Sequence, residues 1–457
     1  MIKSISPIDG KVIWEGNAST KDDIDHCVRT AREAFKEWRR LSFEERIVYL
    51  ERFVAIVETK KDFLAELLCR ENGKSINEAY LELASLPNKL KISIEAYYDR
   101  CKNLEKDLGK TRSITLHKPH GVIAVYGPYN FPVHVPNGHI MPALLAGNTL
   151  ILKPSELTPA ISEEIFKCWQ EAGLPVGVMN LVQGKAETGI ELSKHDGVDG
   201  IFFTGSSKVG KILHKNYAGK LGKILALELG GNNPLVVWQN KDHGKAVELI
   251  IQSAFITNGQ RCTCARRLIL KDSAESDELL ELLVSKVKQL KIGNPLETEN
   301  FMGPVISKEQ ADKLLNAQAS LLKKGAKSIL EMKKLSHGDA YVSPGIIDCT
   351  TAKGLVDEEY FGPLLQIFKV NDWDSAIKLA NSTEYGLSSG LISDSREFFD
   401  EFSMEIEAGL VNWNTQITGA SSAAPFGGIK MSGNHNPSAY YAADYCSYPV
   451  ATMVAEN

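Results

Sequence analysis

Paired cysteines are missing from this chain. Its eight cysteines, at 27, 69, 101, 168, 262, 264, 349 and 446, form no CxxC or zinc-ligand spacing, so no disulfide framework and no metal site is expected. Long apolar runs are missing as well: no window approaches about eighteen uninterrupted apolar residues, which argues against a membrane span. The opening Met1-Ile2-Lys3-Ser4-Ile5-Ser6-Pro7 lacks an apolar signal region, and a reducing, cytoplasmic setting is expected. No block of one charge occurs. The 52 basic and 57 acidic residues are dispersed, with a net charge of -5, which leaves no footprint for nucleic acid or anionic lipid. The expected partner is a small molecule.

What is present is an ordinary globular composition, 43% apolar and 24% charged, in 457 residues, a length that calls for more than one cooperating domain. Residues 21 to 101 are rich in Ala, Glu, Lys, Leu and Arg, and Leu50, Phe53, Val54 and Val57 share one helical face, so several helices are expected. The texture then changes. Val122-Ile123-Ala124-Val125, Thr149-Leu150-Ile151-Leu152, Met179-Asn180-Leu181-Val182 and Gly200-Ile201-Phe202-Phe203 are short buried-strand runs separated by helix-sized segments, the pattern of βαβ units and a parallel sheet. A second series follows, with strands at 234–237, 267–270 and 364–367 and helices at 274–290 and 308–324. Two α/β units in tandem fit this best. The tail after Pro425 is dense in Gly, Ser, Asn and Tyr, which suits loops and an exposed strand.

Five segments carry chemistry. In Asn258-Gly259-Gln260-Arg261-Cys262-Thr263-Cys264, a cysteine stands where a helical stretch gives way to a strand. A thiolate there would add to a carbonyl, and the resulting thioester would hydrolyse readily. A lone cysteine is more often a small buried apolar residue, so Cys262 needs support from elsewhere. Glu228, ending an apolar run before Gly230 and Gly231, is a candidate general base if partly desolvated. Asn130, in Gly127-Pro128-Tyr129-Asn130-Phe131-Pro132, offers an amide donor for an oxyanion, although an Asn between prolines is commonly a turn residue. In Phe203-Thr204-Gly205-Ser206-Ser207-Lys208-Val209-Gly210, a strand run opens into a helix whose first amides, with the Ser206 hydroxyl, would face a pyrophosphate. Lys153-Pro154-Ser155-Glu156 follows another strand, where ligands of open α/β sheets gather. There Glu156 and Lys153 would meet an adenosine ribose.

Together these segments resemble the aldehyde dehydrogenase superfamily, in order from about residue 5 to the C-terminus. The matching motifs are Gly-Pro-Tyr-Asn-Phe-Pro (127–132), Phe-Thr-Gly-Ser (203–206), Leu-Glu-Leu-Gly-Gly (227–231), Gly-Gln-Arg-Cys (259–262), Glu-Glu-Tyr-Phe-Gly-Pro (358–363) and Pro-Phe-Gly-Gly (425–428). The resemblance implies an oxidoreductase that converts an aldehyde to an acid with NAD, with Cys262 as nucleophile and Glu228 activating water for deacylation. Asn130 and the Cys262 amide would hold the oxyanion. Gly205, Ser206, Val209 and Gly210, with Lys153 and Glu156, are the implied cofactor contacts, and Glu359 and Phe361 would meet the nicotinamide ribose. A carboxylate at Glu156 would repel a 2'-phosphate and so favours NAD over NADP.

Finer similarity, in 130–140, 260–267 and 432–446, points to the branch acting on N-succinylglutamate 5-semialdehyde in arginine catabolism. Succinate and glutamate semialdehydes are the alternative substrates, and a non-catalytic protein of the same fold is the weaker alternative. Such a substrate carries two carboxylates and an amide, and Arg261, His134, Asn412 and Asn414 are candidates to meet them. Arg261 serves equally well as one half of a structural ion pair, and Cys264 is a weaker candidate, as a redox partner of Cys262. Two departures stand out: Lys430-Met431 replaces small residues before Ser432-Gly433, which touches the substrate mouth, and the N-terminal hairpin sequence is lacking, which implies a trimmed or divergent start. The implied fold is α/β: a Rossmann-like cofactor domain (1–102 and 120–229), an α/β catalytic domain (230–430) and a small β oligomerisation arm (103–119 and 435–457). An exposed strand in that arm would pair with another subunit, giving a homodimer or homotetramer.

Overall fold

The computed structural model describes residues 1–455; the last two positions of the expected range 435–457 lie outside the described residues. Five helices, Lys21–Trp38, Phe43–Thr59, Lys61–Asn72, Ile76–Ala84 and Leu86–Arg100, occupy the stretch where helices are expected. The first two begin with capping boxes, Thr20 with Asp23 and Ser42 with Glu45, which satisfy backbone donors that the helix itself cannot. Before them, Ile2–Ile5 and Val12–Gly16 pair as an antiparallel hairpin. The expected lack of a hairpin is therefore corrected: alternation as short as Ile2, Ser4 and Ser6 is too brief to read from sequence.

Five parallel strands form one sheet, in the spatial order Met179–Leu181, Thr149–Lys153, Val122–Tyr126, Gly200–Thr204, Ile224–Glu228. Three of them are buried along their whole length, which is why they read as unbroken apolar runs. Alternate residues still serve opposite faces. Ile123, Val125, Leu150, Leu152 and Phe202 join a large core with the helices, including a stacked Phe53–Trp169 pair, while Val122, Ala124, Ile151, Ile201 and Phe203 join a second core on the other face.

A seven-stranded sheet follows, ordered Lys327–Leu330, Gly345–Asp348, Leu364–Val370, Ala265–Lys271, Asn233–Val237, Ser388–Ile392, Leu410–Trp413, all parallel except the first pair. A third, antiparallel sheet joins Ser447–Val454, Arg112–Pro119 and Leu104–Asp107. The tail from 437 to 446 does not extend that sheet. Its short helix Ala442–Tyr445 packs on the helices Leu86–Arg100 and His134–Ala146. Among the described residues no helix is long and apolar enough to cross a membrane.

In the five-stranded sheet the chain runs outward from Val122–Tyr126 to one side, then returns to the other with Gly200–Thr204. Ligands of open parallel sheets bind at the carboxyl ends beside such a reversal. The candidate site lies there.

Candidate active site

A cavity of about 810 Å³ opens between the two parallel sheets and is lined by Asn130, Lys153, Glu156, Gly205, Ser206, Val209, Glu228, Cys262, Glu359 and Phe361. Of the residues singled out from sequence for catalysis or cofactor contact, Gly210 stands outside its lining, as does Cys264, the weaker redox candidate. Gly210 has a packing reason instead: a Cβ there would come within 2.6 Å of Leu229.

Glu228 ends its strand, buried, with Oε1 accepting from the Cys262 thiol at 3.5 Å and Oε2 accepting from the Thr204 hydroxyl at 3.1 Å. Burial raises its carboxyl to about 6, against the Thr204 and Cys262 hydrogen bonds and the nearby Lys89 ammonium, which favour the charged form. The Cys262 thiol is held well above its ordinary value by burial, then by the Glu228 and Glu359 carboxylates. It rests as a thiol beside a carboxyl poised to change charge near neutrality, the pairing expected of a nucleophile and its base.

The Cys262 loop is strained and heavily tied. Thr257 and Asn258 have φ of 54° and 56°, a left-handed backbone that costs non-glycine residues energy. Asn258 offsets this by donating to the Gly73 and Pro304 carbonyls and accepting from the Gly303 amide. Gly259, at φ 68°, sits where a Cβ would come within 2.3 Å of the Gly362 backbone. The buried Arg266 guanidinium donates to the Gly259, Gly362 and Arg261 carbonyls, and Asn233 donates to the Cys262 and Cys264 carbonyls. The Asn130 amide donates to the Gln260 carbonyl at 2.9 Å, which uses one of its two N–H groups. Its second N–H and the Cys262 backbone N–H, which donates to no acceptor among the described residues, are free for an oxyanion.

The other end of the cavity is looser. Ser206 caps the helix Ser207–Tyr217, its hydroxyl accepting from the Val209 amide at 3.4 Å, so the hydroxyl serves the helix as well as facing the cleft. Lys153 donates to the Pro154 carbonyl and lies 3.9 Å from the half-exposed Glu156. Glu359 is raised to about 7 by burial, opposed by Arg266 and the Gly231 amide. Its Oε1 has no hydrogen-bond partner, the nearest cation, Arg266, lying 4.0 Å away. A buried oxygen left without a donor suits a ligand hydroxyl, so the residues present fit a dinucleotide ribose at this point.

The substrate candidates divide. Arg261 and His134 line the cavity, but Arg261 is tied to Glu78 and Thr257 at 3.1 and 2.7 Å, and His134 to Ser85. Asn412 and Asn414 do not line it. Asn412 donates to the Gln416 and Gly419 carbonyls and Asn414 bridges the backbone of Ser393, so both are loop braces. Cys264 is buried and free, its thiol directed at the Ile256 carbonyl. Lys430 pairs with Glu407 and reaches the Asn381 and Thr383 carbonyls, and Lys430 and Met431 do not line the cavity. Sequence reading missed Lys89, buried and lining the cavity. Its signal was a lysine on the stripe Leu86, Lys89, Leu90, Ser93, which the helix buries.

A family model described as the aldehyde dehydrogenase family matches residues 1–450. The N-succinylglutamate 5-semialdehyde dehydrogenase of Chromohalobacter salexigens is 51% identical over 99% of this chain and 92% of that protein. That of Hahella chejuensis is 49% identical over 100% and 93%. Among solved structures, PnpE in complex with nicotinamide adenine dinucleotide superposes with a TM-score of 0.93 at 29% identity, covering 99% of this chain and 94% of that one. The glyceraldehyde-3-phosphate dehydrogenase GapN of Methanocaldococcus jannaschii, complexed with NADP, has a TM-score of 0.92 at 29% identity, covering 100% and 99%. A match spanning nearly every residue, on a chain whose cavity joins a thiol, a carboxyl and a dinucleotide-sized cleft, means that this protein belongs to the aldehyde dehydrogenase family.

Proposed function

We propose that the chain oxidises N-succinyl-L-glutamate 5-semialdehyde to N-succinyl-L-glutamate with NAD and water, a step of arginine catabolism. The observation that carries the reading is the 3.5 Å contact between Cys262 and Glu228 at the meeting of the two parallel sheets. Cys262, deprotonated, adds to the aldehyde carbon, and the oxygen that becomes an anion is received by the free Asn130 N–H and the Cys262 amide. Losing one such donor typically costs about 3 to 4 kcal/mol. The nicotinamide of the bound cofactor supplies the hydride acceptor. Cys262 then carries a thioester, and Glu228 takes a proton from the water that hydrolyses it.

On the cofactor side, Lys153, Glu156, Ser206, Val209 and the loop through Gly205 would hold the adenosine and pyrophosphate, with Gly210 packing the helix that presents them. Glu359 and Phe361 would hold the nicotinamide ribose. The Glu156 carboxylate favours NAD, because a 2'-phosphate would be repelled there. On the substrate side, Lys89 lines the cavity beside Glu228, and Arg261 lines it while paired with Glu78, cationic groups suited to a carboxylate-bearing substrate. The curated relatives' printed activity supports the same substrate. Eight free cysteines suit a reducing cytoplasm, and the exposed antiparallel sheet suits assembly as a dimer or tetramer.

Comparing NADH formation from the three semialdehydes tests the reading. The succinylated substrate should lead succinate and glutamate semialdehydes by at least about tenfold in kcat/KM, worth about 1.4 kcal/mol. Equal values would sink the substrate assignment and leave aldehyde oxidation standing.

A further inference from the structure

Five cationic side chains line the cavity: Lys89, Lys153, Lys185, Arg261 and Lys313. Four of them are accounted for. Lys185 and Lys313 are exposed, where water satisfies them. Lys153 donates to the Pro154 carbonyl beside Glu156, and Arg261 donates to Thr257 and pairs with Glu78. Lys89 is different. It is 3% exposed, yet among the described residues its ammonium donates to no acceptor and forms no ion pair; the one group that favours its charge is Glu228, acting without contact. An ammonium carries three N–H donors, and burying it removes hydration that no hydrogen bond here replaces. Those donors are left for whatever enters the cavity.

The position of Lys89 says what would enter. It stands on the helix Leu86–Arg100, one turn after Ser85, whose hydroxyl meets His134 Nδ1 at 2.6 Å. Its charge acts on His134, His139 and Glu228. Burial keeps both histidines neutral, so neither competes with Lys89 for an anion. Glu228 in turn touches the Cys262 thiol at 3.5 Å, which puts Lys89 at the end of the cavity where the aldehyde carbon would be attacked. Burial lowers the Lys89 ammonium from the usual lysine range, opposed by Glu228, and leaves it charged at neutral pH.

We propose that Lys89 selects the substrate: its ammonium takes the carboxylate nearer the aldehyde carbon, and its unpaired charge bars aldehydes with uncharged tails. A carboxylate gives the buried ammonium charge-assisted hydrogen bonds in place of water. An alkyl tail in the same place removes the remaining water and offers no acceptor, so the penalty falls on the wrong substrate. The nearer carboxylate is meant because Lys89 shares its surroundings with the base beside the nucleophile; a carboxylate beyond an amide arm would be carried away from it. In the proposed function this is the α-carboxylate of the glutamyl part, and to that extent the inference rests on that reading.

The test needs two aldehydes that differ in one group. 5-Oxopentanoate has the skeleton of glutamate semialdehyde without an amine or amide arm, and pentanal has a methyl group in place of its carboxylate. NADH formation by the full-length enzyme is followed with NAD at pH 7, and the readout is the ratio of the two kcat/KM values, in which any effect of Lys89 on Glu228 or on folding cancels. The wild type should favour 5-oxopentanoate at least about thirtyfold, and Lys89→Met should bring the ratio within about threefold of one, with a higher KM for 5-oxopentanoate and a lower one for pentanal. Lys89→Arg, which keeps the charge, should retain most of the preference. A ratio that stays at its wild-type value in Lys89→Met, both aldehydes being affected alike, overturns the proposal and leaves Lys89 acting through Glu228. Should Lys89→Met not fold, Lys89→Gln is held to the same ratio, and a wild-type ratio near one overturns the proposal without any variant. The two readings fail separately. If the succinylated aldehyde is no better than 5-oxopentanoate, the substrate assignment falls while Lys89 keeps its role; if the succinylated aldehyde leads and the ratio ignores Lys89, the assignment stands and the role of Lys89 falls.

Discussion

The loop that carries Cys262 and the rim expected to hold the dinucleotide face each other across one cavity, yet they are built in opposite ways. Around Cys262 nearly every carbonyl is claimed by a buried side chain: Arg266 takes three, Asn233 two and Asn258 two. At the rim, Glu156 is half-exposed, Val209 is exposed, and Ser206 makes one long bond to its own helix. A cysteine proposed to attack a carbonyl needs placing to a fraction of an ångström, whereas a rim proposed to take and release a cofactor in each turnover needs a surface that can give. Rigidity is spent where covalent bonds form.

Breaking the first side of that comparison should have the largest effect. Cys262→Ala should lower NADH formation by at least about 10⁴-fold while NAD binding, read by calorimetry, changes less than twofold; a parallel loss of cofactor affinity would mean that the two walls are not separable. Arg266→Met leaves three carbonyls without their buried donor and should destabilise the fold by about 3 kcal/mol in a urea titration, with a larger loss in kcat than in cofactor affinity. The pH profile sharpens the contrast further. Because the Cys262 thiol is raised, its reactive thiolate grows with pH, so kcat/KM for the aldehyde should climb about tenfold per unit from pH 7 to 9, and a flat profile would show that thiol ionisation does not limit the reaction. Smallest is Ser206→Ala at the rim. Losing the helix cap should cost about 1 kcal/mol in thermal unfolding and raise the KM for NAD only a few-fold.

Much of this was legible in the chain. Strands buried on both faces, such as Val122–Tyr126 and Gly200–Thr204, announce themselves as apolar runs, and the motifs around Cys262, Glu228 and Asn130 name the chemistry. What stayed hidden depends on groups far apart in sequence. Asn412 and Asn414 have the right chemistry to meet a carboxylate, but their direction is set by backbone carbonyls that only the fold brings near. Likewise Lys89 meets Glu228 only because the fold brings its helix to the end of that strand, and no local pattern links the two. The Ile2–Gly16 hairpin was missed for a different reason: its strands are too short for period-two alternation to stand out.

The strand Ile224–Glu228 is the outermost of its sheet, and its free side is covered by the tail: Leu229 donates to the Ser432 carbonyl, Asn434 to Leu227, and the Asn434 side chain bonds both Leu227 and Leu225. The glutamate at its end is therefore seated by residues translated some two hundred positions later. A nascent chain that has just released the cysteine loop from the ribosome holds the Cys262 thiol without its seated carboxyl partner, and the pairing of Cys262 with Glu228 is complete only once Asn434 has emerged from the exit tunnel.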